Sequence, residues 1–209
     1  MPGEEHNGDG YIIATFDAQG QPIETRLSAG ARSSTCVHLD CNEAALIAIV
    51  DGTGHGAEAS LAAQTILARM AQSPQQDLEL LLRQCHIDAR ATRGAAAALL
   101  RLDATPQASI LGLGSITAQS TLLSPGQTKH AAMAAGALGF NAPQHLLLDA
   151  LPVSGNHILA VWSDGIPRAL ALESIELVER MNAEATAEAI LEEHGSAQDD
   201  ASVIIVRPE

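Results

Sequence analysis

The run Ala44-Ala45-Leu46-Ile47-Ala48-Ile49-Val50 contains no polar side chain, and Asp51-Gly52-Thr53-Gly54-His55-Gly56 follows it directly. A short apolar run bounded by glycine reads as a strand buried on both faces. Behind the glycines, residues 57–70 have helical spacing, with Leu61, Ala62, Thr65, Ile66 and Met70 on one face. The chain therefore delivers the Asp51 carboxylate to the end of a buried strand, ahead of a turn and a helix start. A charge there is costly unless it is paired, hydrogen-bonded or bound to a cation. The glycines allow sharp turns and leave backbone carbonyls and N–H groups accessible. Such a place suits either a metal or a phosphate.

Around this stretch the sequence reads mainly as short strands. Residues 11–16 form a strand with a turn at 17–20, 21–34 are irregular or hairpin-like, and 36–39 are a short strand before a turn at 40–43. A second helix is expected from Ser73-Pro74, with Leu78, Leu81, Leu82, Cys85 and Ala89 on its apolar face and an end by Gly94. Residues 94–103 are ambiguous. Their alanines favour a helix, whereas the short length and the flanking Gly94 and Pro106 allow a buried strand. Runs at 108–113, 117–123 and 128–134, separated by turns, suggest an antiparallel meander. Residues 136–139 read as a loop and 146–150 as a further strand. Residues 157–163 are a strand ending at Asp164-Gly165, and 166–171 and 174–181 read as helical pieces. Asn182 caps a last helix running to about His194 and closed by Gly195, and 201–206 form the final strand. Elements in this order read as one α+β domain over 1–209.

Composition narrows the function. Aromatics are only 2%, so Ala, Leu, Ile and Val must build the core. The net charge is −14, from 25 acidic against 11 basic residues. That argues against nucleic acid, whose phosphates need a basic face. Cys36, Cys41 and Cys85 are odd in number and form no C-x-x-C pair. No disulfide framework is expected, a reducing compartment fits, and two thiols without a second pair are a weak basis for zinc. There is no basic-then-apolar leader and no apolar run near the roughly 18–20 residues of a membrane span. The expectation is a cytoplasmic protein with no membrane partner.

Asp51 has counterparts. Asp164 ends a strand before Gly165, Asp199 lies just ahead of the last strand, and Asp9 sits between Gly8 and Gly10 ahead of the first. Aspartates at strand ends can converge although distant in sequence. Hard oxygen donors suit Mg²⁺ or Mn²⁺ rather than zinc or copper. Two such ions about 3.5–4 Å apart clamp a phosphoryl group for in-line attack by water, with Asp51 bridging both. A single Asp-Gly pair is also an ordinary turn, but four aspartates in this setting favour a metal. His55 has the ionisation range to protonate a leaving alkoxide, as has His6 near Asp9. A hydrogen-bonded loop histidine, with water as the proton donor, is the alternative. Cys85 reads as core and not as a nucleophile, with its neighbour His86 pointing elsewhere. A phosphate cradle over 52–56 would lack the lysine of G-x-x-x-x-G-K-S/T and the spacing of G-x-G-x-x-G.

The set of motifs resembles the metal-dependent type 2C protein serine/threonine phosphatases, specifically their SpoIIE-like branch and, in size, its stand-alone RsbX-type members. The matching residues are Gly8-Asp9, Val50-Asp51-Gly52-Thr53-Gly54-His55-Gly56, Arg93-Gly94-Ala95, Ser163-Asp164-Gly165 and Asp199-Asp200-Ala201-Ser202. They span nearly the whole chain. The resemblance implies a four-layer α-β-β-α sandwich and favours a strand over 94–103. It implies that Asp51 bridges two Mn²⁺ or Mg²⁺ ions, that Asp164 and Asp199 complete one, that the Gly52 carbonyl serves the other, and that Asp9 joins directly or through water. The implied substrate is a phosphoserine or phosphothreonine on a bacterial regulatory protein, an anti-sigma antagonist or a stressosome protein with a STAS domain. Ser202 stands where the family usually has Thr. No arginine precedes Asp9 to grip a phosphate, and Arg93 is the available substitute. The alternative is a catalytically weak or inactive phosphoprotein-binding module of the same fold.

Overall fold

A computed structural model describes residues 8–29, 32–39, 43–124, 126–172 and 182–208. Two sheets carry the strands. The first has six, in the order β2(Pro22–Ser28), β1(Asp9–Phe16), β4(Ala44–Gly52), β5(Ala95–Leu102), β6(Gln107–Leu113), β9(Leu148–Pro152). The second has five, in the order β3(Arg32–Leu39), β11(Ala201–Pro208), β10(His157–Trp162), β7(Thr117–Leu122), β8(Gln127–His130). All neighbours are antiparallel except β3 and β11, which run parallel. Helices α1(Ala57–Gln72) and α2(Leu78–Asp88) cover the first sheet, and α3(Ala183–His194) packs on β3 and β11 of the second.

Three apolar clusters fill the spaces between these four layers. Leu46, Ala48 and Val50 of β4 face Ile66, Leu67 and Leu81 of the helices, while Ala45, Ile47 and Ile49 face Val161 and Ile204 across the sheets. Trp162 and Ile205 on the outer face of the second sheet meet Ala187 and Ile190 of α3. Central strands covered on both sides need apolar residues at every position, which accounts for the unbroken run at 44–50. The same holds for 95–102, where Ala95, Ala97 and Leu99 face the helices and Ala96, Ala98 and Leu100 face the second sheet. Burial on both faces overrides the helix preference of alanine.

Several expectations change. Asp9 is the first residue of β1 rather than ahead of it, and β4 runs one residue past Asp51 to Gly52. Residues 22–28 form β2 and 32–34 the start of β3, with Asp17 Oδ1 accepting from Gln21 N (2.7 Å) at the β1–β2 turn. On α1 the buried stripe is Ala59, Ala62, Ala63, Ile66, Leu67 and Met70; Leu61 is 55% exposed. Helix α2 starts at Leu78 because Asp77 caps it, accepting from Leu80 N at 3.0 Å, and Ser73 instead ends α1. The expected three-strand meander divides between the sheets: β6 pairs with β5 and β9, whereas β7 pairs with β10 and with β8, which shortens to Gln127–His130; the strand expected at 146–150 is Leu148–Pro152. Residues 166–171 are not helical. Pro167 interrupts that segment, its carbonyl accepts from Trp162 Nε1 (3.2 Å), and the Leu170 carbonyl accepts from Gln119 Nε2 (3.1 Å). The helix expected at 174–181, His6, Cys41 and most of the turn at 40–43 lie outside the described residues.

Candidate metal centre

The two sheets meet at one edge, and the acidic residues collect there. Asp9 and Asp51 are direct partners across the β1–β4 ladder. Asp164 follows β10, and Asp199 and Asp200 precede β11, in the other sheet. Ser163 stitches the edges together: its hydroxyl donates to Asp9 Oδ2 (2.5 Å) and accepts from Ser202 N (2.9 Å). Asp200 Oδ2 accepts from Gly8 N (2.7 Å), and Gly52 N donates to the Gly8 carbonyl (2.8 Å). These bonds bring strand ends far apart in sequence to one place.

Like charges in low dielectric set the electrostatics. Asp9 is almost fully buried; burial pushes its carboxyl up to about 7, opposed by the Ser163 hydroxyl and reinforced by Asp200 and Asp164. Burial likewise pushes Asp51 up to about 8, helped by the charges of Asp9, Asp164 and Asp199 and opposed by the Ser115 hydroxyl, which donates to Oδ2 at 3.1 Å. Asp51, Asp164, Asp199 and Asp200 line a cleft of about 900 Å³, with Thr53, Gly54, His55 and Ser115. Among the described residues, no three His, Cys, Asp or Glu side chains already form a closed ligand set. What the edge offers is a convergence of carboxylates, two of them desolvated and mutually repelling. That donor chemistry fits hard divalent cations such as Mg²⁺ or Mn²⁺.

The glycines after the aspartates have a steric reason. A Cβ on Gly52 would overlap the Ala59 carbonyl oxygen in the first turn of α1, and one on Gly165 would overlap the Asp200 carbonyl oxygen. These Asp-Gly pairs let a second backbone approach the aspartate. Gly165→Ala is therefore expected to push the 199–200 segment away and to cost about 1–3 kcal/mol. A lowered urea midpoint with an unchanged slope is the readout.

The structure gathers Asp9, Asp51, Gly52, Asp164, Asp199 and His55 at this edge, as the sequence motifs suggest. Arg93 lies 3.5 Å from Glu58 and packs over Gly54, and it is not among the residues lining the cleft. Arg32, unmarked in the sequence, does line it, fastened to the carbonyls of Leu191 (2.6 Å) and Ser196 (2.8 Å). Asp200, Ser163 and Ser115 are supporting residues that sequence reasoning left without a role. The first two sit inside quoted motifs; Ser115 gave no signal beyond a Gly-Ser turn. Cys85 is on the buried face of α2 and its thiol is pushed up to about 12 by burial, as befits a core residue. His86 points away from it, with Nδ1 accepting from Gly139 N at 3.0 Å.

No family model matches the sequence, and no curated protein does. Solved structures do. One described as "The bacterial stressosome: a modular system that has been adapted to control secondary messenger signaling" superposes with a TM-score of 0.71 at 27% identity, covering 94% of this chain and 98% of that one. RsbX in complex with magnesium gives 0.69 at 16% identity, covering 96% and 86%. The SiaA PP2C domain of Pseudomonas aeruginosa gives 0.62 at 17% identity, covering 97% and 80%. The chain has the SpoIIE/RsbX-like fold of the PP2C phosphatases.

Proposed function

We propose that this chain is a Mn²⁺- or Mg²⁺-dependent protein serine/threonine phosphatase, acting as a single domain over 1–209. The observation that carries the proposal is the in-register pair Asp9–Asp51, the first buried and the second half-buried, at the edge of a cleft that also presents Asp164, Asp199 and Asp200. A phosphate dianion has no reason to enter such a cleft unless cations neutralise it. Asp51, Asp164 and Asp199, with Asp9 and the Gly52 carbonyl, would hold them. Bound there, the ions would supply charge neutralisation and a reactive water. The chain's own part is to orient: Ser115 fixes Asp51, Ser163 fixes Asp9, and Gly8 N fixes Asp200. His55, on the cleft wall, would give a proton to the departing serine or threonine oxygen.

Similarity to a stressosome structure and to RsbX supports a phosphorylated bacterial signalling protein as substrate, of the STAS-domain or anti-sigma-antagonist type. No helix among the described residues is long and apolar enough to cross a membrane, and a cytoplasmic setting belongs to the same proposal. The test is hydrolysis of p-nitrophenyl phosphate and of a phosphoserine peptide with Mn²⁺ or Mg²⁺. Turnover is expected with either ion and should vanish with chelator. Turnover indifferent to chelator would rule out the metal-dependent reading.

A further inference from the structure

A second cavity opens off the cleft. It has a volume of about 570 Å³ and shares Gly114 with the cleft; its wall at 133–135 runs on into Gly136 and Ala137 of the cleft. Its floor is apolar, from Ile116, Ala131, Met133 and Ala135, and its polar groups include His130 and Arg168. None of its lining residues is acidic, in a chain of net charge −14 and next to a cleft lined by carboxylates. Arg168 makes no hydrogen bond or ion pair with a described residue. Its backbone is nevertheless held firmly. Trp162 Nε1 donates to the Pro167 carbonyl and Gln119 Nε2 to the Leu170 carbonyl, with Ile166 and Leu170 buried on either side. The opposite wall is pinned by Ala131 N to the Ala118 carbonyl and Ala134 N to the Gly112 carbonyl, each 2.9 Å. An exposed arginine without a partner among the described residues, carried on an anchored backbone at the mouth of an apolar groove, offers its guanidinium to a carboxylate.

We propose that this groove receives the chain segment on one side of the phosphorylated residue, and that it selects an acidic side chain set beside a small apolar one. This rests on the phosphatase reading, because the groove is continuous with the cleft of that reaction. The sign of charge changes along the surface: carboxylates where cations and phosphate meet, then Arg168 where the flanking segment lies. An acidic flank placed against Arg168 avoids the repulsion that the rest of the surface would give it.

The test uses synthetic phosphoserine peptides that differ only in Glu or Lys, moved one position at a time along each flank. Wild-type protein is first assayed on p-nitrophenyl phosphate. On one side only, Glu is expected to give about three- to fivefold higher kcat/KM than Lys, and Arg168→Glu is expected to invert that ratio. Equal turnover of both peptides at every position, or a ratio unchanged by Arg168→Glu, would overturn the groove. So would self-association in sedimentation that Arg168→Glu abolishes, which would make the groove a contact with a second copy. If p-nitrophenyl phosphate is not hydrolysed, the phosphatase reading fails separately. The Glu-over-Lys ratio is then read from fluorescence anisotropy of the labelled peptides, with the same inversion expected and its absence overturning the groove.

Discussion

Asp51→Asn is expected to lower metal-dependent turnover by on the order of 10²–10³-fold, the scale of losing one group that stabilises transition-state charge. The substitution keeps the shape of the side chain and its contact with Ser115, which donates to Oδ2 at 3.1 Å. What it removes is the negative charge beside Asp9, Asp164 and Asp199. If the role of Asp51 were structural, a near-isosteric amide would fold and turn over almost unchanged. Initial rates at saturating Mn²⁺, with circular dichroism of the same sample, separate the two outcomes. Loss of rate with retained fold supports the centre; retained rate contradicts it.

The second expected result concerns the metal-free protein and pH. Folding raises Asp9 to about 7 and Asp51 to about 8, from an unfolded value of 3.8, with burial as the main cause. The folded state therefore binds protons more tightly than the unfolded chain, so stability falls as pH rises. The contribution is fully present near pH 4 and is lost as pH climbs through about 7 and 8. Between pH 5 and 8 the loss is on the order of 3–5 kcal/mol, allowing for the coupling of two neighbouring sites. Urea unfolding in chelator at stepped pH measures it. Asp9→Asn or Asp51→Asn should flatten the curve, and saturating Mn²⁺ should oppose it by binding the folded state preferentially. Stability that rises with pH over this range would contradict the burial of the pair.

Much of this was legible in the sequence because burial leaves a strong mark. The run at 44–50 is apolar at every position, and the strand before Asp164 is apolar from Ile158 to Trp162, so their existence and the fate of the following aspartate could be read directly. Positions decided by competition were harder. Asp77 took the start of α2 from Ser73-Pro74 because a side-chain cap outweighs a proline that merely tolerates a first turn. Leu61 turned outwards because the stripe facing the sheet is led by small residues, Ala59, Ala62 and Ala63, which let the helix approach β4. Two glycines carried a meaning that sequence alone left open. Gly52 and Gly165 read as turn residues, yet their reason is a carbonyl from another segment. Arg32 and Ser115 were invisible, since their roles depend on the approach of α3 and of the loop after β6, contacts that no local pattern encodes.

Direct titration of the metal-free protein with Mn²⁺ at about pH 8, counting bound ions by the loss of the free-ion EPR signal, bears most closely on the central claim. Two ions per chain are expected for the wild type, and fewer for Asp51→Asn. A chain that takes up no Mn²⁺, or takes up the same amount with Asp51→Asn, would show that the carboxylates at this sheet edge are not a metal centre.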